Sequence, residues 1–146
     1  MNPLLIVFKR FEFAKTQEAY DLAVTELFES LDILEERLGR SRNLTNRRGD
    51  DLPFTWLDLH LFMTLVCFDS VFYVTFFKTN QKRIVDYSNL LGFIDVHSME
   101  PIKKSINMDH IKTSYFTSHP VHDTFGIIPV YDGPDLDVPH GRDRRY

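Results

Sequence analysis

The stretch Pro53-Phe54-Thr55-Trp56-Leu57-Asp58-Leu59 opens the segment from which the fold is read. Thr55 is placed to cap a helix, its hydroxyl accepting from the backbone N–H of Asp58, while the Asp58 carboxylate reaches back to the N–H of Thr55. Two donors that a first helical turn leaves without partners are met at once. Asp58 is a shorter arm than the Glu usual in this box, and its charge suits the positive end of the helix dipole. Phe54 and Leu59 flank the cap at the spacing of a hydrophobic staple. Beyond it, LHLFMTLVCFDSVFYVTFF at residues 59–77 is apolar on nearly every side, the pattern of a helix surrounded by other helices. Residues 52–77 therefore read as the folding centre and not as a catalytic device.

A membrane span is the rival reading. Residues 59–77 are 19 in number with one acid, Asp69, and one histidine, His60, close to the ~20 that a bilayer requires. Asp69 would lie near the midplane at a cost of roughly 2.5–3.5 kcal/mol. No second span or flanking basic belt accompanies it, so a buried helix of a soluble, non-membrane protein is expected.

The whole chain agrees. Its 146 residues suffice for one domain with a real core. The net charge of −4 gives no general attraction to nucleic acid or anionic membranes. Thirteen phenylalanines point to a core packed with rings. The single cysteine, Cys67, excludes an internal disulfide and fits a reducing compartment. The opening apolar run, Leu4 to Val7, is too short for a signal sequence, so a cytoplasmic protein is expected.

Outward from the centre, residues 1–15 lack a clean period and are read as an irregular lead-in. Thr16 caps an amphipathic helix to about Leu38, whose stripe runs Ala23, Leu27, Leu31, Leu34, Leu38. Glu18, Asp21, Glu26, Glu29, Asp32, Glu35 and Glu36 are assigned to its solvated outside. Adjacent helical side chains diverge by about 100°, so Glu35 and Glu36 do not form a carboxylate pair. Gly39 ends this helix as its C′ residue. The basic loop at residues 40–48 lacks interleaved aromatics and reads as a solvated connection, not a phosphate site. Ser88 is placed to cap a third helix at 88–99. Pro101 breaks it, residues 102–106 form a turn, and Asn107 caps a last helix at 108–116. Helices thus fill 16–116. The Pro- and Gly-rich tail, 117–146, carries an apolar run, Phe125-Gly126-Ile127-Ile128-Pro129-Val130, expected to strap onto them.

Candidate chemistry is sparse. Of six histidines, His119 and His122 are three apart, but no Cys or carboxylate joins them at ligand spacing, so no metal is expected. Cys67 lies within the apolar helix, where burial raises a thiol pKa and leaves it inert. No phosphate-binding glycine loop or nucleophile elbow is present. Tyr73, Tyr87 and Tyr115 are polar groups in aromatic settings, able to bond either a ligand or a core carbonyl.

Several strings together carry a resemblance. They begin with Val7-Phe8-Lys9, Phe13-Ala14-Lys15-Thr16-Gln17-Glu18-Ala19-Tyr20 and the Thr55–Asp58 cap. Phe68-Asp69, Phe77-Lys78, Asp86-Tyr87 and Asn89-Leu90 follow. Asn107-Met108-Asp109-His110-Ile111-Lys112, Tyr115-Phe116, Ser118-His119, Gly126-Ile127-Ile128-Pro129 and Asp135-Leu136-Asp137-Val138-Pro139-His140-Gly141-Arg142-Asp143 complete it. Across residues 7–143 the chain resembles the C-terminal helical half of glutathionyl-hydroquinone reductases, the xi class of glutathione transferases. The resemblance implies an all-α bundle of the glutathione transferase C-terminal type. In that family a thioredoxin-like half supplies the cysteine that attacks the thioether of a glutathionyl-hydroquinone; a mixed disulfide forms, the hydroquinone leaves, and a second glutathione resolves it. No Cys-Pro motif stands here, so the implied role is the hydroquinone-side wall and a dimer surface, without turnover by the chain itself.

By the same resemblance, Tyr73 and Tyr115 match phenols that line the hydroquinone pocket, and Thr55 and Asp58 form the structural cap. Glutathione is the implied co-substrate, and a second copy or a thioredoxin-like domain in trans the implied partner. A non-catalytic helical interaction module is the alternative. The sequence departs from the family at Phe76, Cys67 and Ser114, which replace His, Arg and His. One residue is missing after Ile94 and one is added near Phe72. The addition leaves Phe72 and Tyr73 competing for one position, and an insertion in an α-helix would rotate all that follows by about 100°.

Overall fold

The computed structural model describes residues 14–45, 54–73, 82–97, 100–118 and 125–136. Among these are five α-helices: α1 Gln17–Leu38, α2 Trp56–Val66, α3 Ser88–His97, α4 Glu100–Ser105 and α5 Met108–Ser118. A π-helical turn, Phe68–Phe72, follows α2, and a 3-10 turn, Ile84–Asp86, leads into α3. No strand occurs among the described residues, so the all-α class holds. The lead-in at 1–13, the arginines at 47 and 48, and residues 74–81 and 137–146 lie outside them.

Helix α1 begins where expected, with the Thr16 hydroxyl accepting from the Ala19 N–H at 3.2 Å. Its stripe faces inward: Ala23, Leu27, Leu31 and Leu38 are buried, joined by Val24 and Phe28. The inward face meets α3, where Leu90, Phe93 and Ile94 are fully buried. Helix α3 also packs on α2, so it sits between the two longer helices. Gly39 closes α1 in the right-handed conformation, φ −69°, and not in the left-handed one expected of a C′ glycine. A Cβ there would approach Asn89 Nδ2 to 3.1 Å, so the glycine admits the end of α3.

The capping box of α2 forms as read. The Asp58 carboxylate accepts from the Thr55 N–H at 3.0 Å and the Thr55 hydroxyl at 2.6 Å through Oδ2. Its other oxygen, Oδ1, accepts from the Leu44 N–H at 2.7 Å. One buried carboxylate thus starts a helix and pins a loop fourteen residues earlier in the chain. The expected continuous α-helix is interrupted within the described residues, where α2 ends at Val66 and gives way to the π turn. Nor is α2 surrounded throughout: Trp56, 73% exposed, stands with Leu57 and Met63 on an open face. Burial becomes complete only from Thr64 to Val71.

Two carboxylates join elements where the sequence suggested none. Glu35, expected on the solvated side of α1, caps the start of α3. Its Oε1 accepts from the Asn89 N–H at 2.8 Å and its Oε2 from the Leu90 N–H at 2.8 Å, with the Ser88 hydroxyl and Asn89 amide adding bonds. Ser88 is therefore the first residue of the helix and not its cap. The negative charge lies where free N–H groups and the helix dipole favour it. Glu36 is exposed and pairs with Arg40 one turn on, in keeping with its surface assignment. Asp69, fully buried, accepts from the Ile84 N–H at 2.7 Å and so positions the 3-10 turn before α3.

The chain after α3 departs from expectation at three places. Helix α4 includes Pro101 in its first turn, where a missing N–H has no helical partner to lose. Asn107 caps α5, its Oδ1 accepting from the His110 N–H at 2.9 Å, and α5 runs to Ser118 instead of residue 116. The apolar run at 125–130 does not bury itself: Phe125 is 85% and Val130 95% exposed. Lys112, 4% exposed, holds the segment instead, its Nζ donating to the Pro129 carbonyl at 3.0 Å and to the Asp132 carboxylate. Leu136 packs against the core beyond it. The lysine stem fills apolar space while its ammonium finds two oxygens.

Removing these carboxylates leaves buried N–H groups without acceptors. Asp58→Ala is expected to cost about 2–5 kcal/mol, combining a lost cap with an orphaned Leu44 N–H. Glu35→Gln is expected to cost about 1–3 kcal/mol, whereas Glu36→Gln stays within ~0.5 kcal/mol. Urea melts of the three variants check both statements; equal midpoints for the two glutamate variants would contradict the second.

Candidate functional site

Of the tyrosines singled out in sequence, Tyr73 and Tyr115 lie where the π turn meets α5. Within that turn the Cys67 carbonyl accepts from both the Val71 N–H at 3.0 Å and the Phe72 N–H at 3.2 Å. The Tyr73 N–H then reaches back five residues to the Phe68 carbonyl. A turn closed by such bonds takes in one more residue than an α turn.

Val71 is fully buried, whereas Phe72 is half-buried and faces α5. Its ring meets that of Tyr115 edge to face, with centroids 5.6 Å apart and planes at 89°. Tyr73 follows, half-buried and packed against the core. Ser70 donates to Met108 Sδ at 3.5 Å, seven residues before Tyr115 on the same face of α5. The structure thus brings Tyr115 against Phe72, a residue that sequence reading weighed only as a rival for the place of Tyr73.

The electrostatics of this corner are those of a dry aromatic wall. Burial pushes the Tyr115 phenol above its ordinary pKa, and the Cys67 sulfur adds to the shift. Cys67 itself is 6% exposed, and burial pushes its thiol up to about 11. The expected inert, core-packed thiol is what the fold contains. Asp69, beside it in the turn, also titrates high because it is buried, opposed in part by the N–H groups of Ile84 and Val85. Tyr87 is buried in the core, and burial together with Asp32 raises its pKa.

Other candidates fall away from this corner. His60 stacks edge-on against Trp56 at 4.7 Å on the open face of α2, and His110 is exposed on α5. His119, His122 and His140 lie outside the described residues, as does Phe76. No group of three metal-ligating side chains occurs among the described residues. No helix among them is long and apolar enough to cross a membrane.

Residues that sequence reading missed had signals of uneven strength. Glu35 lies four residues after Leu31 and three before Leu38, on the buried stripe itself, so its inward position was readable. Lys112 sits four residues from Met108 and from Phe116 in the same way. The wide turn at Phe68–Phe72 has no local signature in residue type.

No protein-family model matches the chain. Individual proteins do. Glutathionyl-hydroquinone reductase YqjG of Escherichia coli (strain K12) is 50% identical over 135 residues, which are 92% of this chain and 39% of that protein. The glutathione-bound structure of the same protein superposes with a TM-score of 0.84 at 44% identity, over 99% of this chain and 45% of that one. The glutathione S-transferase Xi of Phanerochaete chrysosporium gives 0.77 at 37% identity, over 93% of this chain and 46% of its own. The chain thus spans about two-fifths of the curated relative's length. By sequence and by fold its close homologues are glutathionyl-hydroquinone reductases and xi-class glutathione transferases, and the share of them that it matches is consistent with a C-terminal helical domain alone.

Proposed function

We propose that these residues form the acceptor side of a glutathionyl-hydroquinone reductase. The wall made by Tyr115 and Tyr73, with Phe72 packed behind Tyr115, receives the aromatic ring of a glutathionyl-hydroquinone. The sulfur that attacks its thioether comes from a thioredoxin-like half, which also holds glutathione. The observation that carries this division of labour is Cys67. The chain's one thiol is buried, and that burial pushes its pKa up to about 11, so it is held as the thiol and not as the nucleophilic thiolate. The half-buried phenol and phenyl rings beside it supply a surface of the right chemistry for a flat aromatic ligand.

A second reading, a helical interaction module, draws on the open face of α2. Trp56, Leu57 and Met63 are exposed there together, and a contiguous apolar face of this kind normally meets a partner. A thioredoxin-like domain or a second copy of the chain would cover it. The two readings are compatible, since a docking face is what an acceptor half requires.

Mixing the 146-residue chain with glutathionyl-hydroquinone and glutathione under argon tests the proposal. Binding without release of hydroquinone is expected. Turnover would overturn it, and absence of binding would leave the interaction module. In the same samples Cys67 is expected to resist a thiol reagent at pH 8 until denaturant is added. Labelling of the native chain at the rate of a free cysteine would contradict the buried site.

A further inference from the structure

Most of the contacts in the aromatic corner follow from one local irregularity. Had residues 67–73 continued as an α-helix, Phe72 would lie one turn above the fully buried Phe68, within about 40° of it around the axis. The wide turn changes this: Val71 and Ser70 stay fully buried, and Phe72 emerges towards α5. The turn then touches α5 at two points seven residues apart, Ser70 on Met108 and Phe72 on Tyr115. A tyrosine ring met edge-on at 89°, on a helix that the same turn also touches at Met108, has little freedom to swing.

We infer that Phe72 is the positioning residue of the pocket, its ring fixing the orientation of Tyr115, and that the π turn at Phe68–Phe72 is what places it there. The inference rests on the reading of Tyr115 as a pocket residue. Phe72 acts through Tyr115 and need not touch the ligand. Tyr73, one residue on, serves the core as well as the wall. An edge-to-face pair is more than bulk, because the positive rim of one ring lies on the negative face of the other. An aliphatic side chain of similar size fills the space without holding the angle.

The test is the affinity of the wild-type chain, Phe72→Leu and Phe72→Tyr for glutathionyl-hydroquinone, measured by calorimetry under argon. Phe72→Leu is expected to weaken binding about 2- to 12-fold, the worth of one aromatic pair converted to an affinity ratio. Phe72→Tyr, which keeps the ring, is expected to bind within about twofold of wild type. In a Tyr115→Leu background the Phe72→Leu change is expected to have no further effect. Equal affinity of Phe72→Leu and wild type would overturn the inference while leaving the pocket intact. Failure of wild type to bind would overturn the pocket and the inference together. A second measurement needs no variant: nuclear Overhauser cross-peaks between the Phe72 and Tyr115 rings, with and without the probe. Their presence in both states is expected, and their loss on binding would overturn the inference even if Phe72→Leu failed to fold.

Discussion

Three buried or half-buried carboxylates hold backbone N–H groups that no helix of their own could satisfy. Asp58 takes those of Thr55 and Leu44, Asp69 that of Ile84, and Glu35 those of Asn89 and Leu90. The helices they join have between 10 and 22 residues, and all but α1 are too short to persist in water alone. Packing supplies the bulk of the stabilisation, but packing is non-directional and tolerates slippage. A charge-assisted bond from a fixed carboxylate to a named amide does not. Glu35 reaches 54 residues along the chain, and in doing so sets the angle and register of α3 against α1. The close passage of Gly39 by Asn89 is the steric trace of the same docking.

From this frame the aromatic corner follows. Asp69 anchors the turn whose other residues, Ser70 and Phe72, rest on α5, so one short irregular segment is held to α3 and α5 at once. Lys112 then ties the segment at 129–132 to α5 from its buried side. The apolar run of that segment remains open to solvent, as does the Trp56 face of α2. Exposed apolar faces of this kind are where partners usually dock.

What could be read beforehand was local. Thr16, Thr55 with Asp58, and Asn107 each bond an amide three residues away, so their roles sit within a single turn of sequence. The stripe of α1 and the inert Cys67 were legible for the same reason. The failures concern partners far off in the chain. Glu35 was assigned to solvent because its neighbour Glu36 belongs there, although the spacing to Leu31 and Leu38 pointed inward. The run from Phe125 to Val130 was expected to bury itself on hydropathy alone, whereas a single lysine decides how the segment lies. The π turn had no composition to announce it.

Amide hydrogen exchange of the native chain reaches the central claim most directly. The N–H groups of Leu44, Thr55, Ile84, Asn89 and Leu90 donate to carboxylates and to no helical carbonyl. Protection of all five at the level of the slowest core amides, such as those of Phe93 and Ile94, is expected if the carboxylates bind the elements into one cooperative unit. Exchange of these five on the timescale of an open loop, with the core still protected, would contradict it.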